Sequence, residues 1–300
     1  MGMGVSLLVA AVVPLVVPGL GVALRPWLPA IITFVVVSAF ARVDISHAQR
    51  IVARPLRLLC GLGWTVLIVP LVFWLALSLV GRDNLDPGLV LALSLQAAAA
   101  PIMAMPAVAM VLELEVTFSV VLLLATMAVQ PFTAPFVAPW IAGASVPIDG
   151  FLLGRNLLLM IGGSMVAAFA VRRLAGLARL EQYRLEITGA NLIVFTLFGL
   201  TMFDGVLLRV FTEPLLLLEL SALAFLIALG SIGAAFVFLR LMGRDNAFMT
   251  GFAAGHRNVG LMAAAQSGSL PELAWLYFAL VQLPIYLTPL LLRRTIGTRK

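Results

Sequence analysis

The sequence predicts an all-α polytopic membrane protein, with ten transmembrane helices forming two inverted five-helix repeats. Three observations carry that reading. Hydrophobic residues make up 63% of the chain and charged residues only 11%, far from the balance of soluble domains. The apolar residues fall in ten continuous runs, without the alternation of a membrane β-barrel. The basic residues cluster in alternate gaps between those runs, with one exception.

In chain order the runs occupy 5–24, 26–41, 58–80, 88–112, 116–142, 156–171, 187–203, 214–239, 246–266 and 273–292. A helix needs about 20 residues to cross roughly 30 Å of hydrocarbon; the second, sixth and seventh runs are short by that measure. Pro14, Pro18, Pro70, Pro131, Pro135 and Pro284 lie inside runs, which membrane helices tolerate better than soluble ones. No basic segment precedes the first run and no convincing cleavage site follows it, so it reads as a span rather than a secretion signal. The single Cys60 excludes a disulfide framework and reads as a buried, inert thiol. With a cytoplasmic N-terminus, inside segments hold fourteen of the nineteen basic residues and outside segments four. That bias sets an N-in, C-in topology. The net charge of +6 is therefore orientation charge beside anionic lipid, not a nucleic-acid surface. Abundant Arg, Ala and Leu with one Lys point to a GC-rich bacterium, and so to its inner membrane.

Residues 1–150 and 151–300 hold five runs each, and five is odd, so a duplicated unit sits upside down against its partner. The fourth run is broken by Pro101 and Pro106. The ninth is broken around Gly255-His256-Arg257-Asn258-Val259-Gly260. An offset of about 150 residues sets Arg257 against position 107. Interrupted segments at matching places mark a transporter's central site. Arg257 is the one basic residue of the nineteen that falls in neither set, because it lies inside a run. A guanidinium near the bilayer centre costs roughly 2.5–3.5 kcal/mol on insertion scales, and it cannot shed its proton.

Three roles are open to Arg257: holding a substrate carboxylate or sulfonate, pairing with Glu219 (the one carboxylate clearly inside a run), or solvation by carbonyls and water. The substrate-binding candidates are Arg257, His256, Asn258, Gln96, Pro101, Met103, Met105 and Pro106, with Phe252 in the apolar wall. His256 reads either as a packed imidazole or as a proton-coupling group, and Asn258 as a tie for broken backbone or as a ligand. Gln130, Thr126 and Gln282 read as helix–helix polar material.

The residues resemble the bile acid:sodium symporter family and its wider superfamily, which includes arsenite and auxin exporters. The resemblance rests on Pro26-Trp27-Leu28-Pro29, the break at Ala99 to Pro101, Pro131-Phe132-Thr133-Ala134-Pro135, and above all Gly255-x-x-Asn258-x-Gly260-Leu261. It implies a panel of spans 1, 2, 6 and 7, and a core of spans 3–5 and 8–10 in which broken helices 4 and 9 cross. The family's sodium-ligand positions fall on Ala253, Arg257, Ala104, Pro106, Ala107, Leu123, Ser119 and near Thr65. Only Ser119 and Thr65 keep a side-chain oxygen among the ion-binding candidates, so Arg257 is expected to replace the bound sodium. The implied function is secondary active transport of a small organic anion by alternating access. The alternatives are sodium symport through backbone carbonyls, and a non-transporting sensor or scaffold. The arsenite branch relies on a fourth-span thiol, which Ala and Met replace here. No His-x-x-x-His, Gly-x-Ser-x-Gly or phosphate-loop pattern occurs, which argues against an enzyme. Metal-ligand spacing is also absent and no cofactor is expected.

Overall fold

A computed structural model describes residues 9–10, 12–14, 16–42, 55–266 and 270–296. The start of the first run, the loop carrying Arg50 and Arg54, and the terminal Arg299 and Lys300 lie outside the described residues. Helices account for nearly all the rest, and no strand occurs among the described residues. Seven helical stretches are long and apolar enough to cross a membrane: 20–41, 55–80, 116–145, 150–176, 184–212, 214–238 and 272–292. The chain is an all-α, multi-pass membrane protein.

The helices are α1 (Leu20–Leu24), α2 (Leu28–Arg42), α3 (Pro55–Gly63), α4 (Val69–Val80), α5 (Pro87–Ala98), α6 (Met105–Val111) and α7 (Val116–Ala142). They continue as α8 (Gly150–Leu157), α9 (Gly163–Gln182), α10 (Arg184–Phe203), α11 (Val206–Thr212) and α12 (Pro214–Phe238). The last three are α13 (Arg244–Gly255), α14 (Val259–Ala265) and α15 (Glu272–Ile296).

The predicted fourth and ninth runs are each two short helices end to end. Asp86 starts α5 by accepting a hydrogen bond from the Gly88 N–H at 2.7 Å, and Pro87 occupies the first helical position. Pro101 stops the helix, because the residue before a proline is disfavoured in the α region; Ala99 is already extended at ψ 151°. In the ninth run, α13 ends at Gly255 and His256 leaves the helical region at ψ 89°. Asn258 then caps α14, its Oδ1 accepting from the Leu261 N–H at 3.1 Å.

The two breaks meet. The Ile102 N–H donates to the His256 carbonyl at 2.9 Å, and the Asn258 N–H to the Ala100 carbonyl at 2.8 Å. Pro101 and Arg257 thus form an isolated antiparallel bridge. Each unwound stretch satisfies part of the other's backbone, as buried polar backbone requires. The offset of 150 set Arg257 against position 107, whereas the structure pairs it with Pro101.

Small residues bring the helices this close. A Cβ on Gly255 would sit 2.8 Å from the Ala228 Cα, and one on Gly251 would sit 2.6 Å from the Ile232 Cα, so α12 and α13 pack backbone against backbone. Between α3 and α4, residues Trp64–Ile68 form a π turn, in which the Val69 N–H reaches back to the Trp64 carbonyl. A second π turn, Leu158–Gly162, joins α8 to α9.

Candidate functional site

Arg257 leaves the crossing and turns into the protein, where it is 2% exposed. Its Nε–H donates to the Ala254 carbonyl at 2.8 Å, Nη1 to the Ala99 carbonyl at 2.6 Å, and Nη2 to the Thr65 carbonyl at 2.8 Å. Each acceptor is a backbone oxygen that its own helix cannot satisfy. Ala254 lies in the last turn of α13, and Ala99 caps the end of α5. Helix C-termini carry orphan carbonyls and partial negative charge. Thr65 is orphaned by the π turn: the next N–H in that register would belong to residue 70, and residue 70 is proline. One guanidinium therefore caps three chain segments, in the manner of a metal cation held by carbonyls. Three of its five N–H groups are used in this way, which leaves two.

The predicted alternative of an ion pair with Glu219 is corrected. Glu219 is exposed on α12, and no ion pair joins it to Arg257 among the described residues. The outward position reflects helix phase: Leu217 and Leu220 face inward, and Glu219 between them faces out.

Two cavities border Arg257. The larger, of about 550 Å³, lies between the crossing and helices α2, α10 and α15. Met103, Asn258 and Gly260 line its crossing side. Ser38, Asn191, Phe195, Phe198, Gln282 and Tyr286 line the helical side. Its rim reaches the surface at the exposed Thr188 and Gly189. The walls are mostly apolar with a few neutral polar groups, the usual make-up of a small-molecule site. Ser38 donates to Asn191 Oδ1 at 2.6 Å, joining α2 to α10 inside the cavity. Phe195 meets Tyr286 edge-on, with ring centroids 6.1 Å apart.

The smaller cavity, of about 10 Å³, lies on the guanidinium side among Thr65, Ala97–Ala100, Thr126 and Gln130. It has room for about one water. Gln130 Nε2 donates to the Met262 sulfur at 3.0 Å, while its Oε1 has no partner among the described residues.

The other predicted site residues divide. Met103 and Asn258 line the large cavity beside Arg257. Gln96 is buried and accepts from the Tyr277 hydroxyl at 2.7 Å, which binds α5 to α15. His256 is fully buried, its Nδ1 3.1 Å from the Phe252 carbonyl and its ring stacked on Phe252 at 4.0 Å. Met105 and Phe252, predicted to wall the site, are buried elsewhere, and Pro106 does not border the large cavity. Pro101 contributes backbone at the crossing rather than a cavity wall. Thr65 supplies its carbonyl; its hydroxyl donates to the Gly61 and Leu62 carbonyls at 2.9 and 3.0 Å. Ser119 stands apart, its hydroxyl donating to the Glu115 carbonyl at 3.1 Å, and borders neither cavity.

Sequence reasoning missed Ser38, Thr188, Asn191 and Tyr286. Lone polar residues such as Ser38 and Asn191 inside otherwise apolar runs were the available signal. No group of three or more His, Cys, Asp or Glu side chains is arranged to hold a metal among the described residues. No family model matches the chain, and no curated protein matches it.

Proposed function

We propose that the protein is a secondary active carrier for a small organic anion, working by alternating access, in which Arg257 takes the place of bound sodium. On this reading ten spans form two inverted repeats. A core built around the crossing rocks against a panel that includes α2 and α10.

The observation that carries the reading is a buried guanidinium held by three carbonyls, on a residue that borders a 550 Å³ cavity. The carbonyls are dipoles, so they solvate the charge without cancelling it. An anion held about 6–8 Å from the guanidinium would gain about 2–3 kcal/mol at an effective dielectric constant of about 20. The same oxygens that hold the guanidinium are then not free for a sodium ion. The walls formed by Met103, Phe195 and Phe198 suit a carboxylate or sulfonate with an apolar body.

Purified protein in vesicles tests this with radiolabelled small carboxylates and sulfonates in sodium-free medium. Saturable uptake is expected without sodium, and Arg257→Ala should abolish it. Arg257→Lys keeps the charge but not the planar fork, and should fall between them. Near-normal uptake by the Ala variant would overturn the role of Arg257. A steep rise with sodium at constant ionic strength would overturn the replacement of sodium. An absence of uptake across the anion panel, by protein shown to be folded, would count against a carrier of this class.

A further inference from the structure

Helices α2, α10 and α15 carry the large cavity towards one end and a cluster of charged side chains at the other. On α15, Glu272 and Trp275 belong to the cluster, whereas Gln282 and Tyr286 line the cavity. Ten to fourteen residues separate Glu272 from them, about 15–21 Å along a helix. On α10, Asp204 just past its end joins the cluster, while Thr188 lies sixteen residues back, about 24 Å away. Arg25 precedes α2 by three residues, and Ser38 lies thirteen residues on, about 20 Å away. Three helices thus agree that the cavity reaches the surface at one end and is shut at the other.

The shut end is held by side chains rather than by continuous apolar packing, since a void of about 230 Å³ lies among them. Arg209 on α11 donates through Nη2 to Glu272 at 2.6 Å and through Nη1 to Glu213 at 3.2 Å. The Arg25 guanidinium lies over the Trp275 ring, 4.6 Å from its centroid. Asp204 Oδ2 accepts from the Val22 N–H at 3.0 Å, at a point where the neighbouring Gly21 has no room for a side chain against Leu200 and Asp204. Asp204 therefore fastens α1 to α10 as one body. Arg25 and Arg209 reach from that side across to the first turn of α15.

We infer that Arg209–Glu272 and Arg25–Trp275 form a latch that closes this end while the cavity is accessible from the other. The inference rests on the alternating-access reading. Each is a single side-chain contact that can part without unpacking a helix. The ion pair is largely open to solvent, which weakens it, whereas the Trp275 ring beneath Arg25 is buried, which makes the cation–π contact the firmer of the two. The Arg209 and Glu272 side chains are 28% and 78% exposed. The latch biases the resting state and does not lock it.

The test needs no transported substrate. Met202→Cys in a Cys60→Ala background places a thiol at a site that is 2% exposed beside the latch. Its rate of reaction with a water-soluble maleimide reports how often this end opens. Glu272→Gln and Arg209→Gln should each raise that rate two- to fivefold. The double variant should rise no more than the larger single one, because both remove the same contact. Glu181→Gln breaks the distant Arg184–Glu181 pair and should leave the rate unchanged. Should Glu272→Gln fail to fold, Glu272→Asp, which shortens the reach, should still raise the rate. An unchanged rate in the folded Arg209 and Glu272 variants, or an equal rise with Glu181→Gln, overturns the latch. A latch response in vesicles that carry no anion would leave the latch standing and remove the transport reading instead.

Discussion

Removing the Arg257 guanidinium should destabilise the protein through the carbonyls it leaves behind. Arg257→Ala strips the donors from the Ala99, Ala254 and Thr65 carbonyls. A buried acceptor left bare costs about 1–3 kcal/mol, so three cost about 3–9 kcal/mol gross. Two effects reduce this. The buried cation's own desolvation penalty, several kcal/mol, disappears with it. Water can also enter the vacated space, which adjoins a void already large enough for about one molecule. A net loss of about 2–4 kcal/mol is expected. Thermal unfolding in detergent, followed by the fluorescence of the five tryptophans, measures it. Arg257→Lys should recover only part, because a single ammonium cannot span oxygens on three segments. Free guanidinium at low millimolar concentration should stabilise the Ala variant selectively, by about 1.4 kcal/mol at ten times its dissociation constant. An Ala variant as stable as the parent, or a guanidinium effect equal in both proteins, would refute the capping argument.

Pro70→Ala supplies an N–H in the register that Thr65 lacks, so it should reduce the cost of Arg257→Ala by about 1 kcal/mol in a double-mutant cycle. Tyr277→Phe leaves Gln96 Oε1 buried without its 2.7 Å donor, and should lower unfolding stability by about 1–3 kcal/mol. Gly255→Leu would drive a side chain into the Ala228 backbone of α12; a loss of at least about 1–3 kcal/mol is expected, read as a smaller folded fraction on size-exclusion chromatography.

Much of the fold was legible because membrane helices announce themselves through composition. The breaks were legible too, since Pro101 and Gly255 leave a backbone mark that residue types carry. The direction of Arg257 was not. Its partners are carbonyl oxygens, which every residue possesses, and the one at Thr65 is exposed by a π turn that no pattern of side chains encodes. The pairing with Glu219 failed for a related reason: Glu219 was the one carboxylate clearly inside a run, but helix phase turned it outward. The cavity wall was half legible. Met103 and Asn258 flank the break and were found from it. Ser38, Asn191 and Tyr286 come from helices whose relation to the break only the tertiary packing reveals.

The guanidinium joins the π turn after α3, the end of α5 and the last turn of α13 through a residue synthesised long after two of them. Arg257 follows Thr65 by 192 residues, about 10–40 s of translation at ordinary rates. Through that interval the oxygens at Thr65 and Ala99 have no donor of their own, inside a solvent that offers none. The early helices must therefore enter the bilayer with an unfinished seam, kept hydrated or loosely gathered until the ninth run arrives to close it. Biogenesis of this protein is, in that sense, completed from its far end.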